Sequence, residues 1–254
     1  MKNWTEKKDE IIATPLPSHS GRYGLIPHSV FLEEIQEELD KKSYTIAEER
    51  YLTASDNQVL SGFFRIQSTT DIEIMPSVHF VNSYNKTRKA SIRVCATVLV
   101  CKNGMMGSSL RGSYVRKHIG PLALSDFRSH ISMSIATLED EFERLRRNKQ
   151  EMKEIILSKT ERALLVGDML LNEDLVTATQ LSILKKEIKF SEHFTGHSLW
   201  DFYNHTTESF KENHPNNYDK QHVKFHSYIS DKYSLTGHTG LYGKALAPTP
   251  LVLV

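Results

Sequence analysis

The chain has 254 residues and a formal net charge of +1, with 39% hydrophobic, 25% charged and 9% aromatic residues. This composition is typical of a globular protein with a buried core, and it excludes collagen-like, low-complexity and disordered chains. No apolar run approaches the ~18 residues that a membrane-spanning helix needs, and the polar stretch Met1–Glu10 is unlike a secretory signal. We therefore expect a cytoplasmic protein without a membrane partner.

The charges are distributed unevenly along the chain. Residues 1–73 contain 8 Lys and Arg against 13 Asp and Glu, whereas residues 74–125 contain 8 Lys and Arg and no acidic residue. With 31 acidic residues among 254, a gap of 52 residues is unusual. Segregated positive charge is typical of a protein that binds a polyanion.

The first part of the chain predicts an arm, a helix and a hairpin. Residues 1–27 are rich in Pro and Gly and have no sustained period, which indicates a loose N-terminal arm. Apolar residues at helical spacing predict a helix over residues 29–42. The β-rich stretches 44–54 and 59–66, separated by a turn-forming Asp-Asn pair, predict two paired strands.

The clearest hairpin lies in the acid-free segment. The β-rich stretches 74–84 and 90–102 flank the turn Asn85–Lys89, and aliphatic residues alternate along the second stretch. This alternation predicts a strand that is largely buried. Residues 105–119 are rich in Gly and Ser and predict an irregular return strand.

From residue 125 the apolar period changes to 3.6, which predicts one helix of about 30 residues and roughly 45 Å. Shorter helices are predicted over residues 159–171, 178–189 and 198–211.

The order of these elements predicts the α+β class. We expect an antiparallel sheet of about five strands, including the basic hairpin, packed on the one long helix, with a helical C-terminal tail. The expected parts are the arm (1–27), an α+β core domain (28–171) and a helical C-terminal extension (172–254).

The basic hairpin and its return segment carry the candidate binding residues. A site for single-stranded nucleic acid needs cations along the phosphates and flat rings on which bases stack, and this segment contains both. The alternative is a solvated strand edge that Lys and Arg protect from aggregation. The candidate nucleic-acid-binding residues are Tyr84, Lys86, Arg88, Lys89, Arg93, Lys102, Arg111, Tyr114, Arg116, Lys117 and His118.

The histidine-rich tail gives a weaker signal for a metal. His193 and His197 are four residues apart, as are His222 and His226, so each pair could share a helix face and bind a metal. Neither pair has the glutamate of a His-Glu-x-x-His motif. Phosphate-binding loops and nucleophile elbows are also missing from the sequence. We therefore expect no catalytic residue, no metal and no cofactor.

Two further groups of residues have structural interpretations. Cys95 and Cys101, six residues apart in the predicted strand, are expected to be buried free thiols. The acidic residues of the long helix alternate with arginines, which predicts ion pairs such as that of Glu143 with Arg147.

Four short motifs resemble the phage- and plasmid-associated family called domain of unknown function 932. They are Asn82-Ser83-Tyr84, Val100-Cys101-Lys102-Asn103-Gly104, Arg116-Lys117-His118 and the stretch Leu199–Glu208, which contains Trp-x-x-x-Asn-x-x-Thr-Glu. The resemblance covers roughly residues 25 to 230. It implies a protein of phage or mobile-element origin in the bacterial host cytoplasm, without an established activity.

The order of helix, antiparallel sheet and long helix also resembles the Rad52-like single-strand annealing proteins, which hold DNA in a basic groove of a ring or filament. We therefore expect a protein that binds single-stranded DNA, with strand annealing in recombination as its further activity, and that forms a homo-oligomer. The alternatives are an interaction protein that inhibits a host defence or repair factor, and a metal-dependent nuclease.

Overall fold

The computed structural model of the chain describes residues 8–18, 24–107, 113–116 and 123–236. Its architecture is mixed α+β with an antiparallel sheet and a helical C-terminal region, as predicted. The strands are β1 (Ile46–Ala54), β2 (Val59–Ile66), β3 (Ile74–Ser83), β4 (Ala90–Val98), β5 (Gly104–Met105) and β6 (Ser113–Arg116). The α-helices of the described residues are α1 (Lys8–Ile12), α2 (His28–Lys41), α3 (Ala123–Ile135), α4 (Leu138–Glu154), α5 (Lys159–Leu171), α6 (Ala178–Phe190), α7 (Leu199–Ser209) and α8 (Pro215–Tyr233).

The sheet follows the chain order from β1 to β5, and β6 pairs beside β4. Both predicted hairpins are confirmed, because β1 pairs with β2 and β3 pairs with β4, each antiparallel. The expected return strand consists of two pieces. The short strand β5 lies opposite Ala96 and Thr97, whereas β6 lies opposite the beginning of β4, from Ala90 to Arg93.

Two hydrophobic clusters form most of the core. In the first, Phe31 of α2 stacks on Phe127 of α3 with ring centroids 4.6 Å apart, and both pack with Ile92 of β4. In the second, Phe142 of α4 packs with Trp200 of α7 and other helical residues of the C-terminal region. One aliphatic strand face thus supports two separate helical layers.

The expectation of one long helix is wrong, because the helix is interrupted at Ala136 and Thr137 and becomes α3 and α4. Thr137 Oγ1 donates a hydrogen bond to Ser134 O (2.8 Å), which closes a turn at the interruption. Ile135 and Phe142 are both buried as expected, but they lie in different hydrophobic clusters. The sequence does not reveal this interruption, because the apolar residues of α3 and those of α4 continue the same helical spacing.

The ion pairs of α4 also differ in detail from the expected one. Glu143 pairs with Arg146, with Arg146 Nε 2.8 Å from Glu143 Oε2, rather than with Arg147. Glu141 pairs with Arg144 at the same i, i+3 spacing. Two of the acidic residues of this helix, Glu141 and Glu143, are therefore paired with arginines of the same helix.

The helix α8 covers the other face of the sheet and had no predicted bounds. Pro215 begins it, in keeping with the preference for proline at a first helical position. Its buried face includes two histidines, which replace the apolar residues on which a periodicity argument depends. The buried residues at helical spacing are Tyr218, His222, Phe225, His226 and Ile229.

A buried lysine connects α4 to the link between β2 and β3. The side chain of Lys149 is 1% exposed, and its Nζ lies 2.5 Å from Asp71 Oδ2 and 3.0 Å from Glu73 Oε2. Burial alone would raise the pKa of Asp71, but the hydrogen bond from Lys149 and the backbone N–H groups of Glu73 and Ile74 lower it. This cluster fixes the entry to β3.

Both cysteines are free thiols, as expected. Cys95 is fully buried in β4, but β4 ends at Val98, so Cys101 lies in the following turn and is partly exposed. Burial raises the pKa of Cys95 to about 12 and that of Cys101 to about 11. Both thiols therefore stay protonated near neutral pH, where thiols react slowly.

Candidate nucleic-acid interface at the basic hairpin

The turn between β3 and β4 is built around Asn85. Its Oδ1 accepts hydrogen bonds from Ser83 Oγ (2.9 Å), from Thr87 N (3.2 Å) and from Thr87 Oγ1 (2.6 Å). Asparagine favours such turns because its short side chain can bond to the backbone two residues on. Lys86 adopts a left-handed conformation (φ 63°), and both Lys86 and Lys89 are exposed. The turn therefore carries two exposed lysine residues.

Arg88, between these lysines, is buried rather than exposed. It is 8% exposed, and its Nη2 donates to Asp219 Oδ1 (2.8 Å) and Oδ2 (2.9 Å) on α8. The interpretation of Arg88 as a phosphate ligand on the surface is therefore corrected. It connects the turn to α8, and its charge is balanced inside the protein.

Tyr84 is likewise unavailable as an exposed stacking ring. It is 3% exposed and stacks on the imidazole of His28, with ring centroids 3.9 Å apart. Its hydroxyl accepts a hydrogen bond from the backbone N–H of His28 (2.5 Å). Tyr84 therefore attaches the start of α2 to the hairpin, and the expectation of an exposed ring at this position is wrong.

Two more candidate cations lie away from the turn. Arg93 is partly buried in β4, where its Nη1 donates to Gly107 O (3.2 Å) and burial lowers its pKa. Lys102 follows the far end of β4, which lies roughly 27 Å from the turn at about 3.4 Å per residue. Lys102 Nζ is 3.6 Å from Glu48 Oε1. Neither residue extends the exposed charge of the turn.

The return strand lies beside the turn. The backbone of Arg116 in β6 is opposite Ala90, the residue that follows Lys89, and Tyr114 is opposite Ile92. The remaining candidates, Arg111, Lys117 and His118, lie outside the described residues.

Beneath the turn lies a buried polar layer that sequence reasoning missed. Asp219 faces His79, Arg88 and Arg93, and His79 Nε2 is 3.0 Å from Ser61 Oγ. Burial alone would raise the pKa of Asp219, but the neighbouring basic groups lower it. Because 131 residues separate Asp219 from Arg88, no local sequence pattern could have identified the pair.

The buried histidines predict a loss of stability in acid. Burial lowers the pKa of His79 to about 4 and that of His222 to about 3, whereas both take up a proton near pH 6.5 when unfolded. The stability that comes from burying these two neutral imidazoles is therefore fully present above pH 6.5. It is lost as the pH falls toward 4, and the loss at pH 5 is roughly 2 kcal/mol per histidine. Urea unfolding at pH 7.5, 6.0 and 5.0 measures this decline.

The variant His79→Gln serves as the control, because it keeps a hydrogen-bonding group beside Ser61 but cannot titrate. The contribution of His79, roughly 2 kcal/mol of the decline between pH 7.5 and 5, is expected to disappear in this variant. A free energy of unfolding that stays constant over this range in the wild type would contradict the assignment.

The histidine pairs considered for a metal differ in their settings. His193 and His197 are exposed in the segment after α6, outside any helix. His222 and His226 share the buried face of α8, and His226 Nδ1 lies 3.2 Å from the hydroxyl of Tyr203. Across the described ranges, no three His, Cys, Asp or Glu side chains group closely enough to hold a metal ion. Within the same ranges, no helix is long and apolar enough to cross a membrane.

A known family matches most of the chain. The model of the family described as Domain of unknown function (DUF932) matches residues 15–229. No curated protein and no solved structure matches the chain significantly. The matched range includes the whole sheet, both hairpins and most of α8.

Proposed function

The chain belongs to the domain of unknown function 932 family, whose description names no activity, and from the geometry of the hairpin we propose that it binds single-stranded DNA. The observation that carries the proposal is the register of β6 with β4. Because of this register, the exposed lysines of the turn, Lys86 and Lys89, lie next to the backbone of Arg116 at one end of the sheet. All three residues belong to the stretch of 52 residues that contains no Asp or Glu. Such a concentration of positive charge is the main source of affinity for a phosphate backbone.

The internal contacts of the hairpin suit it to this role. Asn85 accepts hydrogen bonds within the turn, and the ion pair of Arg88 with Asp219 connects the turn to α8. These contacts fix the backbone that carries Lys86 and Lys89. Lys220, the residue after Asp219, is exposed on α8 and adds a third ammonium group near the turn. These cations would capture phosphates without reading base sequence.

Strand annealing, recombination and homo-oligomerisation extend the same proposal. Annealing requires that many nucleotides be held with their bases accessible, and one turn with a few lysines contacts only a short stretch. Several copies arranged in a ring or filament would provide a continuous track. Light scattering of the chain, with and without an oligonucleotide, tests assembly independently of affinity. The phage or mobile-element origin and the cytoplasmic location are parts of this proposal.

The decisive test replaces Lys86 and Lys89 together with alanine. Each phosphate contact on a single strand contributes about 0.7 to the slope of log affinity against log salt, so the double variant is expected to flatten that slope by about 1.4. The fold is expected to persist, since exposed turn residues contribute little to stability. Filter binding of a single-stranded oligonucleotide across a salt series measures the change.

The matched control replaces Lys41 and Lys42, which are exposed at the end of α2, and it is expected to leave the slope unchanged. An unaltered slope in the folded Lys86 and Lys89 variant would remove the turn from the interface. If the wild type does not bind the oligonucleotide even at low salt, the proposal is wrong, and the basic hairpin would instead suit an acidic protein partner.

A further inference from the structure

A second exposed basic surface lies at the C-terminal half of α6. Lys185, Lys186 and Lys189 are exposed, and Phe190 is 64% exposed. Lys186 and Phe190 are four residues apart, so they share one face of the helix. Lys189 Nζ lies 4.9 Å from the centroid of the Phe190 ring. We call these four residues the α6 surface.

Ordinary stability arguments explain the lysines of the α6 surface but not its aromatic ring. Cations near the end of a helix interact favourably with its dipole. A phenylalanine left in water, by contrast, forgoes the roughly 1.5 to 3 kcal/mol that burying such a side chain gives. Gln180 and Leu184 of α6 are already buried against the rest of the protein, so Phe190 is not needed to dock the helix.

The acidic residues near α6 leave the α6 surface positive. Glu187 is partly buried, where burial and the charge of Glu208 raise its pKa, and both Lys211 and Lys186 also face it. Glu187 therefore offsets part of the charge of Lys186, one of the three lysines of the α6 surface. Glu192, beyond the end of the helix, is exposed. Three lysines against Glu187 and Glu192 leave the α6 surface with a net positive charge. Lys186 and Lys189 lie beside Phe190, whereas Lys185 lies one turn before Lys189.

We propose that the α6 surface is a second contact for the single-stranded nucleic acid that the hairpin binds, in which Phe190 stacks on a base and the lysines hold the adjacent phosphates. This inference rests on the proposed function. Flat aromatic rings beside cations are what strand binding without sequence preference requires, because every base has a π face. Tyr84 cannot supply that ring at the turn, since it is buried against His28.

The helix packing connects the two contacts. Gln180 Nε2, near the start of α6, donates to Gln221 Oε1 on α8 (3.1 Å). Gln221 is two residues beyond Asp219, which holds Arg88 of the hairpin. Phe190 lies ten residues beyond Gln180, or about 15 Å along the helix. A strand that leaves the turn would pass the exposed Lys220 and continue along α6.

The stacking role is tested with Phe190→Leu, which keeps an apolar side chain of similar size but has no π face. The loss of one stacked base is expected to weaken binding roughly 5- to 100-fold. Phe190→Trp is expected to retain the wild-type affinity. An oligonucleotide carrying a fluorescent purine analogue should show quenching with the wild type and the tryptophan variant, but not with leucine. Leu164→Ala, which changes an exposed apolar residue of α5, is the matched control and should bind like the wild type.

The phosphate contacts are tested by replacing Lys185, Lys186 and Lys189 with glutamine. The salt slope is expected to flatten by about 2 if all three contact phosphates.

The Lys86 and Lys89 variant, measured in parallel, separates the two proposals. If the wild type binds and the hairpin variant weakens binding, but Phe190→Leu binds and quenches like the wild type, this inference alone is overturned. If the wild type does not bind at all, the proposed function itself fails. If Phe190→Leu abolishes binding to phosphatidylserine vesicles and leaves oligonucleotide binding unchanged, the α6 surface faces a lipid headgroup and the inference is wrong.

Discussion

Replacing Asp219 with alanine is expected to lower the free energy of unfolding by about 3 to 5 kcal/mol, the usual cost of removing one partner of a buried ion pair. Arg88 would keep its charge in a site that is nearly closed to water, and both of its hydrogen bonds to the carboxylate would be lost. Arg93, which the same carboxylate faces, would lose an attractive charge as well. Urea unfolding at pH 7.5 measures the change.

The control for this prediction removes both charges. In the double variant Arg88→Met with Asp219→Leu, most of the lost stability is expected to return, because apolar residues of similar volume can replace a buried ion pair at little cost. A loss below about 1 kcal/mol in Asp219→Ala would place the pair among exposed ion pairs and contradict its structural role.

Replacing Lys149 with alanine is expected to cost a similar 3 to 5 kcal/mol. Its ammonium group is the main partner of Asp71, whose side chain is 5% exposed. Without Lys149, the carboxylate of Asp71 would retain only the backbone N–H groups of Glu73 and Ile74. The link between β2 and β3 would then be held to α4 mainly through Lys153. Thermal or urea unfolding of the variant provides the measurement.

Lys153 is the matched control, because it contacts the same Glu73 from a position that is 35% exposed. Lys153→Ala is expected to cost less than 1 kcal/mol, in keeping with solvent-screened pairs. Equal losses in the two variants would show that burial does not distinguish them, and the assignment of Lys149 as the central residue would be wrong.

Local patterns predicted most of the elements of this fold. The helices α2, α5 and α6 and the strands β1 to β4 begin and end within a few residues of the expected positions, because each satisfies its own period without help from distant parts of the chain. The interruption between α3 and α4 was missed, since the apolar stripe continues through it. The buried face of α8 was not predicted, because His222 and His226 occupy positions at which a helical pattern would have apolar residues.

The candidate interface was predicted only in part, because charge along a sequence differs from charge in space. Arg88 and Lys102 lie in the acid-free segment, yet Asp219 pairs with Arg88 and Glu48 lies 3.6 Å from Lys102, both from distant positions in the sequence. A return strand after the hairpin was predicted, but the register that brings β6 beside the turn was not. The burial of Tyr84 was not expected, because His28, on which its ring stacks, is 56 residues away in the sequence.

The contact between Arg88 and Asp219 also bears on the order of events during synthesis. The ribosome adds roughly 5 to 20 residues per second, so the 131 residues that separate the two side chains delay their meeting by on the order of 10 seconds. The hairpin can form in microseconds once it emerges. For that interval Arg88 lacks the carboxylate of Asp219 and the polar face of the nascent sheet is uncovered, so chaperones can reach it until α8 arrives.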